Sequence, residues 1–585
     1  MNWTRTFDVF SYQAQVVANE KSIVYQDGKR WIKLSSQDCL DAIRCYQQKF
    51  RAWGLEKGDK FIYMPNRARV EWVLMDAAAQ SMGIIVVPVH ISYNLEAFRS
   101  ILEESEAKVC VFLSEEEIAK FFPEGSRMGL HVHALERNGK AIFSPELLLK
   151  KRISRERMED FSIQPEDLCS IMYTSGTTGQ PKGVMLTHQN LASNVKASLI
   201  VLPELYQKRC LSFLPYSHVL ERMAVYAYLA SGASLYLPGE NDLTKAFLHV
   251  KPQYFSAVPR ILEKMVENIQ HWKNQQILPV RMLVNWALKI GRRYREGAKV
   301  RPIFWFEQQV ARLLVFNRFR KLTGGSLKAV FSGAAYLKPD VSRIFATAGV
   351  KIREGYGLTE TSPIVTANRF SPGMFKLGTV GLPVPGVSVM IDQPNAEGEG
   401  EILVKGPNVM KGYYKRPEET AKVFTKDGWF RTGDVGKWTA KRFLQITDRK
   451  KDIFKTSAGK YIAPLALENY LQESDFIDQS MVVGFQRPFI TALIRPDFDS
   501  LEAWAMDEQI HWTSPEYMIL NIKIKEKISQ ELEKINEKLP NFQRIREFSL
   551  FHEELSPVNG LMTYTYKLNR PKILERFQKA VEEMY

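Results

Sequence analysis

The chain has 585 residues, more than one hydrophobic core usually serves, so we expect two or more globular domains. Its 80 basic residues exceed its 65 acidic residues, and the formal charge of +15 indicates an anionic partner such as a nucleotide, a nucleic acid or lipid headgroups. Five scattered cysteines without a C-x-x-C pair argue against a disulfide framework or a zinc site and are typical of a reducing cytoplasm. The N-terminus lacks the pattern of a secretory signal, and no apolar run of about 18 residues predicts a membrane-spanning helix.

The first clear elements along the chain predict a strand–helix–strand unit. Lys60–Met64 is an apolar run of strand length, Val70–Met82 has the period of a helix, and Gly83–Pro88 is a second strand-like run. The helix is expected to turn one face inward, with Trp72 and Leu74 on that face. Because such runs alternate along much of the chain, the pattern predicts an α/β fold with substantial parallel sheet.

A loop rich in glycine and hydroxyl groups follows the apolar run 170–172. It spans Tyr173–Gly183 and reads YTSGTTGQPKG. Backbone N–H groups of its glycines can approach phosphate oxygens closely, its Ser and Thr hydroxyls add neutral donors, and Lys182 adds a positive charge. It is not a Walker A loop, because the spacing differs and Gly183 stands where a Ser or Thr would meet magnesium. The composition predicts a polyphosphate site, with a flexible surface loop as the alternative.

After residue 385 the sequence contains short strand-like runs, such as Glu401–Val404, separated by glycine and proline. This pattern predicts a smaller antiparallel sheet. The charge cluster Asp448–Asp452 follows the strand-like run 443–446 and indicates a solvated connector between domains. A small α+β module is expected after it. Its amphipathic helix would cover Ile522–Leu539 and end at Pro540.

Five separated motifs resemble the adenylate-forming, AMP-binding superfamily of acyl-CoA synthetases and luciferases. They occur in the family's order, and the resemblance extends from about Gly58 to Arg570. The motifs are Tyr173–Gly183, Leu214–His218, Glu354–Thr361, Gly428–Asp434 and Asp448–Pro464.

The resemblance implies an α/β fold in two parts. Residues 1–450 would form a large N-terminal domain of stacked mixed β-sheets with surrounding helices and a smaller antiparallel, barrel-like region. Residues 451–585 would form a small, mobile α+β C-terminal domain. Lys451 falls at the hinge position about which the C-terminal domain of similar enzymes rotates between two active arrangements.

The resemblance also implies a site for ATP. Tyr356 would offer its ring to adenine, Thr359 would donate to the α-phosphate, and Glu360 with Thr177 would offer oxygens to Mg²⁺. Taken without the family, the segment 356–360 fits equally well a buried tyrosine and a surface glutamate in a turn. Further residues matched to the nucleotide site are Thr174, Ser175, Gly176, Thr178, Gly179, Gly333, Ala334, Ala335, Glu354 and Gly357.

Asp434 would hold both ribose hydroxyls with help from Arg449, although an aspartate after glycine also serves as a turn cap. Lys182 would contact the phosphates. His218 would line the acyl side of the pocket, with a satisfied core histidine as the alternative.

Two lysines of the C-terminal domain complete the expected site. Lys567 corresponds to the lysine that enters during adenylation, where its ammonium would stabilise charge on the phosphate oxygens, and the preceding Tyr566 replaces the usual glycine. An isolated lysine at this place is otherwise a solubilising surface residue. Lys455 aligns with a lysine that approaches during thioester formation.

A basic insertion follows Val258–Lys264, a segment that resembles long- and very-long-chain fatty acyl-CoA synthetases. Between Arg281 and Lys321 there are eleven basic residues and two acidic ones, interleaved with aromatic and aliphatic side chains. This pattern predicts peripheral contact with an anionic bilayer, and its alternative is an amphipathic helical pair packed on its own domain with a solvated basic face. Charge alone also fits nucleic acid, but no recognised nucleic-acid motif is present. The location expected is cytoplasmic, peripheral on the cytoplasmic membrane face, and the oligomeric state is not indicated.

Together these features imply an ATP-dependent long-chain fatty acid–CoA ligase that uses Mg²⁺, forms acyl-AMP and pyrophosphate, and then transfers the acyl group to coenzyme A. Two alternatives remain at this point. One is a fatty acyl-AMP ligase, or a ligase that uses another thiol such as an acyl carrier protein. The other is an inactive membrane-associated scaffold that binds lipid or nucleotide, against which the presence of Lys182, Glu360, Asp434, Arg449 and Lys567 argues.

Overall fold

A computed structural model gives the structure of the chain. It describes residues 3–65, 69–123, 130–137, 140–150, 162–175, 181–239, 242–295, 301–457, 460–556, 558–563 and 567–585. Among these residues, no helix combines the length and the apolar composition needed to cross a membrane.

Two large mixed sheets dominate residues up to about 385. The first has nine strands in the spatial order Leu382–Pro383, Ile364–Ala367, Lys351–Gly357, Ala329–Ser332, Tyr254–Ala257, Arg209–Leu211, Ser234–Leu237, Ile23–Asp27 and Arg30–Leu34. The second has seven strands in the order Gly412–Tyr413, Pro181–Thr187, Leu168–Ser175, Ile85–Pro88, Lys60–Tyr63, Val109–Phe112 and His131–Ala134. Both sheets are parallel in the middle and antiparallel at one or both ends.

Four smaller sheets make up the remaining β-structure of the described residues. A four-stranded antiparallel sheet follows residue 385, and a three-stranded sheet lies in the C-terminal part. The strands of the four small sheets are Ser388–Asp392, Gly400–Lys405, Phe430–Thr439 and Phe443–Arg449; Ile477–Val483, Ile490–Pro496 and Ile545–Leu550; Phe454–Lys455 and Tyr461–Ile462; Glu136–Arg137 and Lys140–Ala141.

Helices connect the strands and cover the sheets. The helices before residue 385 are Asp8–Val16, Ser36–Ala52, Val70–Ser81, Leu95–Ser105, Glu115–Phe121, Pro145–Leu149, His188–Val201, Val219–Ala230, Leu243–Val250, Pro259–Asn274, Leu278–Arg292, Pro302–Ala311, the π-helix Arg312–Phe316, Asn317–Leu322, Pro339–Thr347 and the 3₁₀ turn Thr359–Thr361. Those after it are Pro417–Val423, Pro464–Leu471, Phe498–Asp507, Pro515–Met518, Ile522–Asn536, the 3₁₀ turn Asn541–Gln543, Arg570–Arg576 and Gln578–Glu582.

The predicted strand–helix–strand unit is confirmed, with a difference in the helix. The strands Lys60–Tyr63 and Ile85–Pro88 pair in parallel, and Val70–Ser81 is the connecting helix. All twelve residues of that helix are buried, not one face only. The reason is its position, because the hydrophobic core around it draws side chains from both large sheets. A helix between two sheets is covered on every side.

The predicted antiparallel sheet after residue 385 is confirmed. The segment 448–452 was expected to be a solvated connector, and this expectation is wrong for Asp448. Asp448 ends the strand Phe443–Arg449 and is fully buried. Its carboxylate accepts hydrogen bonds from the backbone N–H of Arg449 at 2.6 Å and of Leu465 at 3.1 Å, and burial raises its pKa to about 7. Asp448 therefore joins the sheet to the first helix beyond it.

The C-terminal part has hydrophobic cores of its own. One contains Ile462, Leu471, Ile528 and Leu532, and its members all lie between residues 454 and 550. The predicted helix begins at Ile522 as expected but ends at Asn536, because the turn before Pro540 is not helical. A separate core is the physical signature of a unit that can move as a body.

A buried ion pair ties the motif 214–218 to the strand that leads into the glycine-rich loop. Arg222 contacts Asp76 at 2.7 Å and donates to Ser170 Oγ at 2.8 Å, and both charged side chains are fully buried. Tyr216 and Tyr226 donate to the same carboxylate at 3.4 and 2.7 Å. A satisfied network of this kind fixes the relative position of the elements it joins.

Candidate nucleotide site

The glycine-rich loop lies at the tip of a β-hairpin. The strands Leu168–Ser175 and Pro181–Thr187 pair in antiparallel register, with Thr174 opposite Lys182. Of the residues predicted to bind phosphate, Gly176, Thr177, Thr178 and Gly179 lie outside the described residues, as does the side chain of Ser175. The described part of the hairpin therefore locates both ends of the loop.

Lys182 and Glu360 are brought together by residues that the sequence did not single out. Lys182 forms an ion pair with Glu419, and its Nζ lies 5.7 Å from the ring centroid of Tyr413. The hydroxyl of Tyr413 donates to Glu360 Oε1 at 3.0 Å. Tyr413 belongs to the strand that pairs with the hairpin at Val184, so the sheet itself sets this arrangement.

Close packing and hydrogen bonds fix the backbone of the turn that carries Thr359 and Glu360. Gly357 is required there, because a Cβ at this position would lie 1.8 Å from the carbonyl oxygen of Pro363. Asn408 donates to the carbonyl of Thr361 at 2.9 Å, and the backbone N–H of Met410 donates to the carbonyl of Glu360 at 2.8 Å. The Glu360 carboxylate therefore projects from a turn whose backbone is already hydrogen-bonded.

Asp434 lies at the centre of a second group. Tyr356 Oη donates to Asp434 Oδ2 at 2.7 Å, and Arg449 Nε lies 3.1 Å from Asp434 Oδ1. Asp434 and Arg449 face each other across paired strands, and the Thr432 hydroxyl accepts from the Asp434 N–H at 3.1 Å. Burial and the Asp434 charge hold the pKa of Tyr356 well above its ordinary value, so its hydroxyl remains a donor.

Residues 333–335 follow the end of the strand Ala329–Ser332, beside Glu354 of the parallel strand Lys351–Gly357. Ser332 pairs with Glu354, which puts Gly333, Ala334 and Ala335 just beyond the end of their strand. Ala334 has a φ of 73°, a left-handed conformation that alanine adopts at a cost. Glu354 is buried, and desolvation raises its pKa to about 8, so the carboxyl is protonated at neutral pH.

Lys567 belongs to the C-terminal part of the chain, and the charges of Arg449, Asp434 and Glu360 act on it. Its backbone N–H donates to Thr563 Oγ1 at 3.1 Å and its carbonyl accepts from the Thr563 N–H at 2.8 Å, next to the bridge between Met562 and Leu568. The side chain keeps solvent contact, yet the protein around it lowers its pKa to about 8. Desolvation is the main cause and Arg449 adds to it.

The carboxylates that oppose this shift locate the ammonium group. Asp434 and Glu360 both favour the charged form of Lys567. An interaction of that kind requires proximity, so one lysine of the C-terminal part lies close to both carboxylates predicted for the nucleotide site.

His218 and Lys455 have other neighbours. His218 begins the helix Val219–Ala230, half-buried, with its ring centroid 5.3 Å from that of His90, and burial lowers the pKa of both rings. Lys455 is exposed, with its Nζ 5.3 Å from the ring centroid of Tyr461 in its own two-stranded sheet. In this structure Lys455 thus packs on the C-terminal part.

Sequence reasoning missed Tyr413, Glu419, Asn408 and His90. Tyr413 follows a glycine in an unremarkable stretch, and Asn408 acts through backbone carbonyls far away in the chain. The sequence around each of these residues does not predict such contacts, because the contacts depend on how the sheets are joined.

The fold and the site together define an adenylate-forming architecture, and comparison with known proteins agrees. A family model described as "AMP-binding enzyme" matches residues 10–414, and one described as "AMP-binding enzyme C-terminal domain" matches residues 451–585. The chain belongs to the AMP-binding enzyme family. The family prediction made from the motifs is confirmed.

The curated relatives narrow the class. The chain is 31% identical to long-chain-fatty-acid–CoA ligase 1 of Cavia porcellus, over 99% of this chain and 86% of that protein. It is 32% identical to the human ligase of the same name, over 90% of this chain and 78% of the relative. Identity to the long-chain-fatty-acid–CoA ligase FadD15 of Mycobacterium tuberculosis is 31%, over 96% and 94%.

Solved structures confirm the fold. ATP-bound MatB from Rhodopseudomonas palustris superposes with a TM-score of 0.73 at 23% identity, covering 99% of each chain. The o-succinylbenzoate CoA synthetase MenE of Bacillus subtilis, in complex with its acyl-adenylate intermediate, gives a TM-score of 0.69 at 20% identity, covering 97% of each. The predicted α/β architecture with a separate C-terminal domain is therefore correct.

Proposed function

We propose that the chain is an ATP-dependent, AMP-forming ligase that joins long-chain fatty acids to coenzyme A. Membership in the AMP-binding enzyme family and full-length similarity to long-chain-fatty-acid–CoA ligases support this function. The observation that supports the mechanism is that Lys567, in the C-terminal matched region, is near enough to Asp434 and Glu360 for their charges to act on its pKa.

The nucleotide binds with its ribose at Asp434. A carboxylate that accepts one hydrogen bond from Tyr356 and is paired with Arg449 has lone pairs left for two hydroxyl donors. Adenine lies by Gly333, Ala334 and Ala335, beside the protonated carboxyl of Glu354, which can donate a hydrogen bond. Thr174, Thr359 and the loop 175–179 receive the phosphates.

Lys182 takes part by exchanging partners. It forms an ion pair with Glu419, and a triphosphate in the loop would offer it a stronger concentration of negative charge. The ion pair is partly exposed, with 21% and 31% of the two side chains accessible, so the exchange is cheap.

Glu360 fits a magnesium site. One of its oxygens accepts from Tyr413 while the other is oriented by the same rigid turn, and Mg²⁺ in nucleotide sites takes one or two protein oxygens together with phosphate oxygens. Thr177 is the second protein oxygen proposed. When bound, Mg²⁺ would neutralise phosphate charge.

The first half-reaction forms the acyl-adenylate. A carboxylate oxygen of the fatty acid bonds to the α-phosphorus, the bond from that phosphorus to the bridging oxygen breaks, and pyrophosphate leaves. Negative charge builds on the phosphate oxygens as this happens, and the Lys567 ammonium stabilises it. His218 lies on the acyl side of the pocket, and its neutral ring adds no charge beside the apolar chain.

The second half-reaction needs another set of side chains. We place the domain boundary at 450/451, with Lys451 as the hinge about which the C-terminal domain turns to withdraw Lys567 and bring Lys455 inward. The coenzyme A thiolate then bonds to the acyl carbon, the carbon–oxygen bond to phosphate breaks, and AMP leaves. Lys455 is free to take this role because its present contact is an exposed stacking on Tyr461.

A product assay tests the function. The protein is incubated with Mg-ATP and fatty acids from short to very long, with and without coenzyme A, and the products are identified by mass spectrometry. We expect acyl-CoA and AMP with long-chain acids only when coenzyme A is present. Acyl-AMP without thioester would show that the acceptor is another thiol, such as a carrier protein, and no turnover of any acid would bring the scaffold alternative forward.

A further inference from the structure

A glutamate occupies a core position in the first helix of the C-terminal part. The helix Pro464–Leu471 buries Pro464, Leu467, Glu468 and Leu471, which recur at the spacing of one helical face. Glu468 therefore stands where the pattern predicts an apolar residue, and only 3% of its side chain is accessible. A carboxylate in such a place requires a charged or hydrogen-bonded partner.

Arg570 is the partner of Glu468. Its Nη1 and Nη2 donate to the two oxygens of the carboxylate, each at 2.7 Å, in a bidentate pair. The backbone N–H of Val482 also donates to Glu468 Oε1 at 2.8 Å and so ties the pair to the three-stranded sheet. We call Glu468 and Arg570 the buried clamp. A bidentate pair fixes both the place and the plane of the guanidinium, which a single charge contact does not.

The buried clamp is close in the chain to Lys567, and hydrogen bonds stiffen the connection. Two residues separate Lys567 from Arg570. The second of them, Asn569, donates from its backbone N–H to the carbonyl of Leu561 at 2.9 Å and from its side-chain amide to the carbonyl of Gly560 at 3.2 Å. Because this short connection has little freedom, a displacement of Arg570 also displaces the backbone of Lys567.

The buried clamp also lies near the proposed hinge. The backbone N–H of Leu465, on the helix of the clamp, donates to Asp448 Oδ2 at 3.1 Å. Burial disfavours the charged form of Arg570, whereas the carboxylates of the clamp, of Asp452 and of Asp448 favour it. Asp448 and Asp452 stand on either side of Lys451 in the chain. The clamp therefore lies between the residues proposed for the hinge and the lysine proposed for adenylation.

Stability alone does not explain an ion pair in this position. Apolar side chains of similar volume often replace a buried ion pair without loss of stability, but they lack its directional hydrogen bonds. We propose that the buried clamp holds Lys567 in place for acyl-AMP formation, with Arg570 as a positioning residue of the first half-reaction. Precise placement matters there, because a misplacement of about 1 Å can lower a rate about 100-fold.

This inference rests on the proposed function, because Lys567 needs positioning only if it serves adenylation. The two can fail separately. A native protein that forms no acyl-AMP would overturn the proposed function and the inference together. A native ligase whose adenylation does not depend on the clamp would overturn the inference alone.

The experiment measures both half-reactions in variants of the full-length protein. The test variant carries Glu468→Gln and Arg570→Met, which removes both buried charges together and keeps an acceptor for the Val482 N–H. Arg570→Lys is the conservative variant, because it keeps the charge and loses the bidentate geometry. Arg576→Gln is the matched control. Arg576 ends the helix that Arg570 begins, and its side chain, paired with Glu553, is 62% exposed.

We expect the test variant to lose about 10- to 100-fold in pyrophosphate exchange, yet to convert pre-formed acyl-AMP to thioester within about two-fold of the native rate. Arg570→Lys should recover part of the lost exchange, and Arg576→Gln should match the native protein in both half-reactions. Thermal unfolding close to that of the native protein would show that the test variant is folded.

Two results would overturn the proposal. One is native pyrophosphate exchange in the test variant. The other is an equal loss of both half-reactions, which would make the clamp a structural element only. If the test variant does not fold, the same comparison is made in Arg570→Lys, and there too an unchanged exchange or an equal loss of both half-reactions would overturn the proposal.

Discussion

The two ends of the nucleotide site are held in different ways. At the end proposed for the ribose, Asp434 is 4% exposed and is fixed by a hydrogen bond from Tyr356 and by an ion pair with Arg449 of the adjoining strand. At the other end, Lys567 stands on a short turn of a domain with its own core.

Ion pairs of partial exposure join that domain to the rest of the chain. Arg292 of the insertion contacts Asp475 at 2.6 Å, Arg260 contacts Asp478 at 3.3 Å, and His271 contacts Asp499 at 2.9 Å. The Arg292–Asp475 pair is the more exposed of the two arginine pairs, and surface pairs contribute about 0 to 1 kcal/mol each. The comparison shows that Asp434 is held by contacts inside the large N-terminal part, whereas the domain that carries Lys567 is attached in part by exposed ion pairs. We propose that this attachment lets the domain separate at little cost and deliver the lysine.

The largest effect is expected from removing the delivered charge. Lys567→Ala should lower acyl-AMP formation about 100- to 1000-fold, the usual cost of deleting one electrostatic stabiliser of a transition state. Pyrophosphate exchange measures this step. Lys579→Ala, a change at a 92% exposed lysine of the same domain, is the control and should leave exchange unchanged.

A smaller effect, on ATP binding, is expected from a change at Asp434. Asp434→Asn keeps the shape of the side chain but removes its charge, so the KM for ATP should rise about 10- to 100-fold through weaker binding of the ribose hydroxyls. Tyr356→Phe is the companion change, because it deletes one support of Asp434 and leaves the carboxylate in place. An Asp434→Asn enzyme with an unaltered KM for ATP would remove Asp434 from the ribose site.

The pH dependence of the adenylation rate should follow the titration of Lys567. The ammonium form is the active one and its pKa is lowered to about 8, so the rate should be full below that pH and fall as pH rises through it. Glu354 and Glu221 also have pKa values raised to about 8 by burial. Lys567→Arg should therefore shift the fall in adenylation rate to higher pH. If the fall shifts in Glu354→Gln instead, the titrating group is the Glu354 carboxyl.

The smallest effect concerns the ion pairs between the domains. Arg260→Gln with Arg292→Gln should slow adenylation about 2- to 10-fold, because fewer molecules hold Lys567 in the cleft, and should leave thioester formation from acyl-AMP as fast or faster. Arg343→Gln removes a guanidinium of the same 32% exposure whose partner Asp340 lies three residues away. Equal slowing of both half-reactions would show that the pairs do not select one arrangement.

Much of the fold could be predicted because its signals are local. Apolar runs and helical periods between residues 60 and 88 predicted a parallel unit, and the structure has it. The all-round burial of Val70–Ser81 could not be predicted, because the second covering sheet comes from distant parts of the chain. The burial of Asp448 was missed for a similar reason, since Leu465 and the sheet enclose it only after folding.

The candidate site likewise contains residues that the sequence predicts and residues that it does not. Motifs located Glu360, Asp434, Arg449 and Lys567, which the structure brings together. The supports of these groups were not predictable, because Tyr413 and Asn408 act through sheet pairing and backbone carbonyls rather than through a motif. Nor did the charge count reveal that Arg292 of the insertion docks the C-terminal domain.

The account is tested most directly by measuring the two half-reactions separately in Lys567→Ala and in Asp434→Asn. Acyl-AMP formation is followed by pyrophosphate exchange, and thioester formation is followed from pre-formed acyl-AMP and coenzyme A. We predict that Lys567→Ala loses the first step and keeps the second, while Asp434→Asn weakens both. A Lys567→Ala enzyme that forms acyl-AMP at the native rate, or loses both steps alike, would contradict delivery of this lysine for one step only.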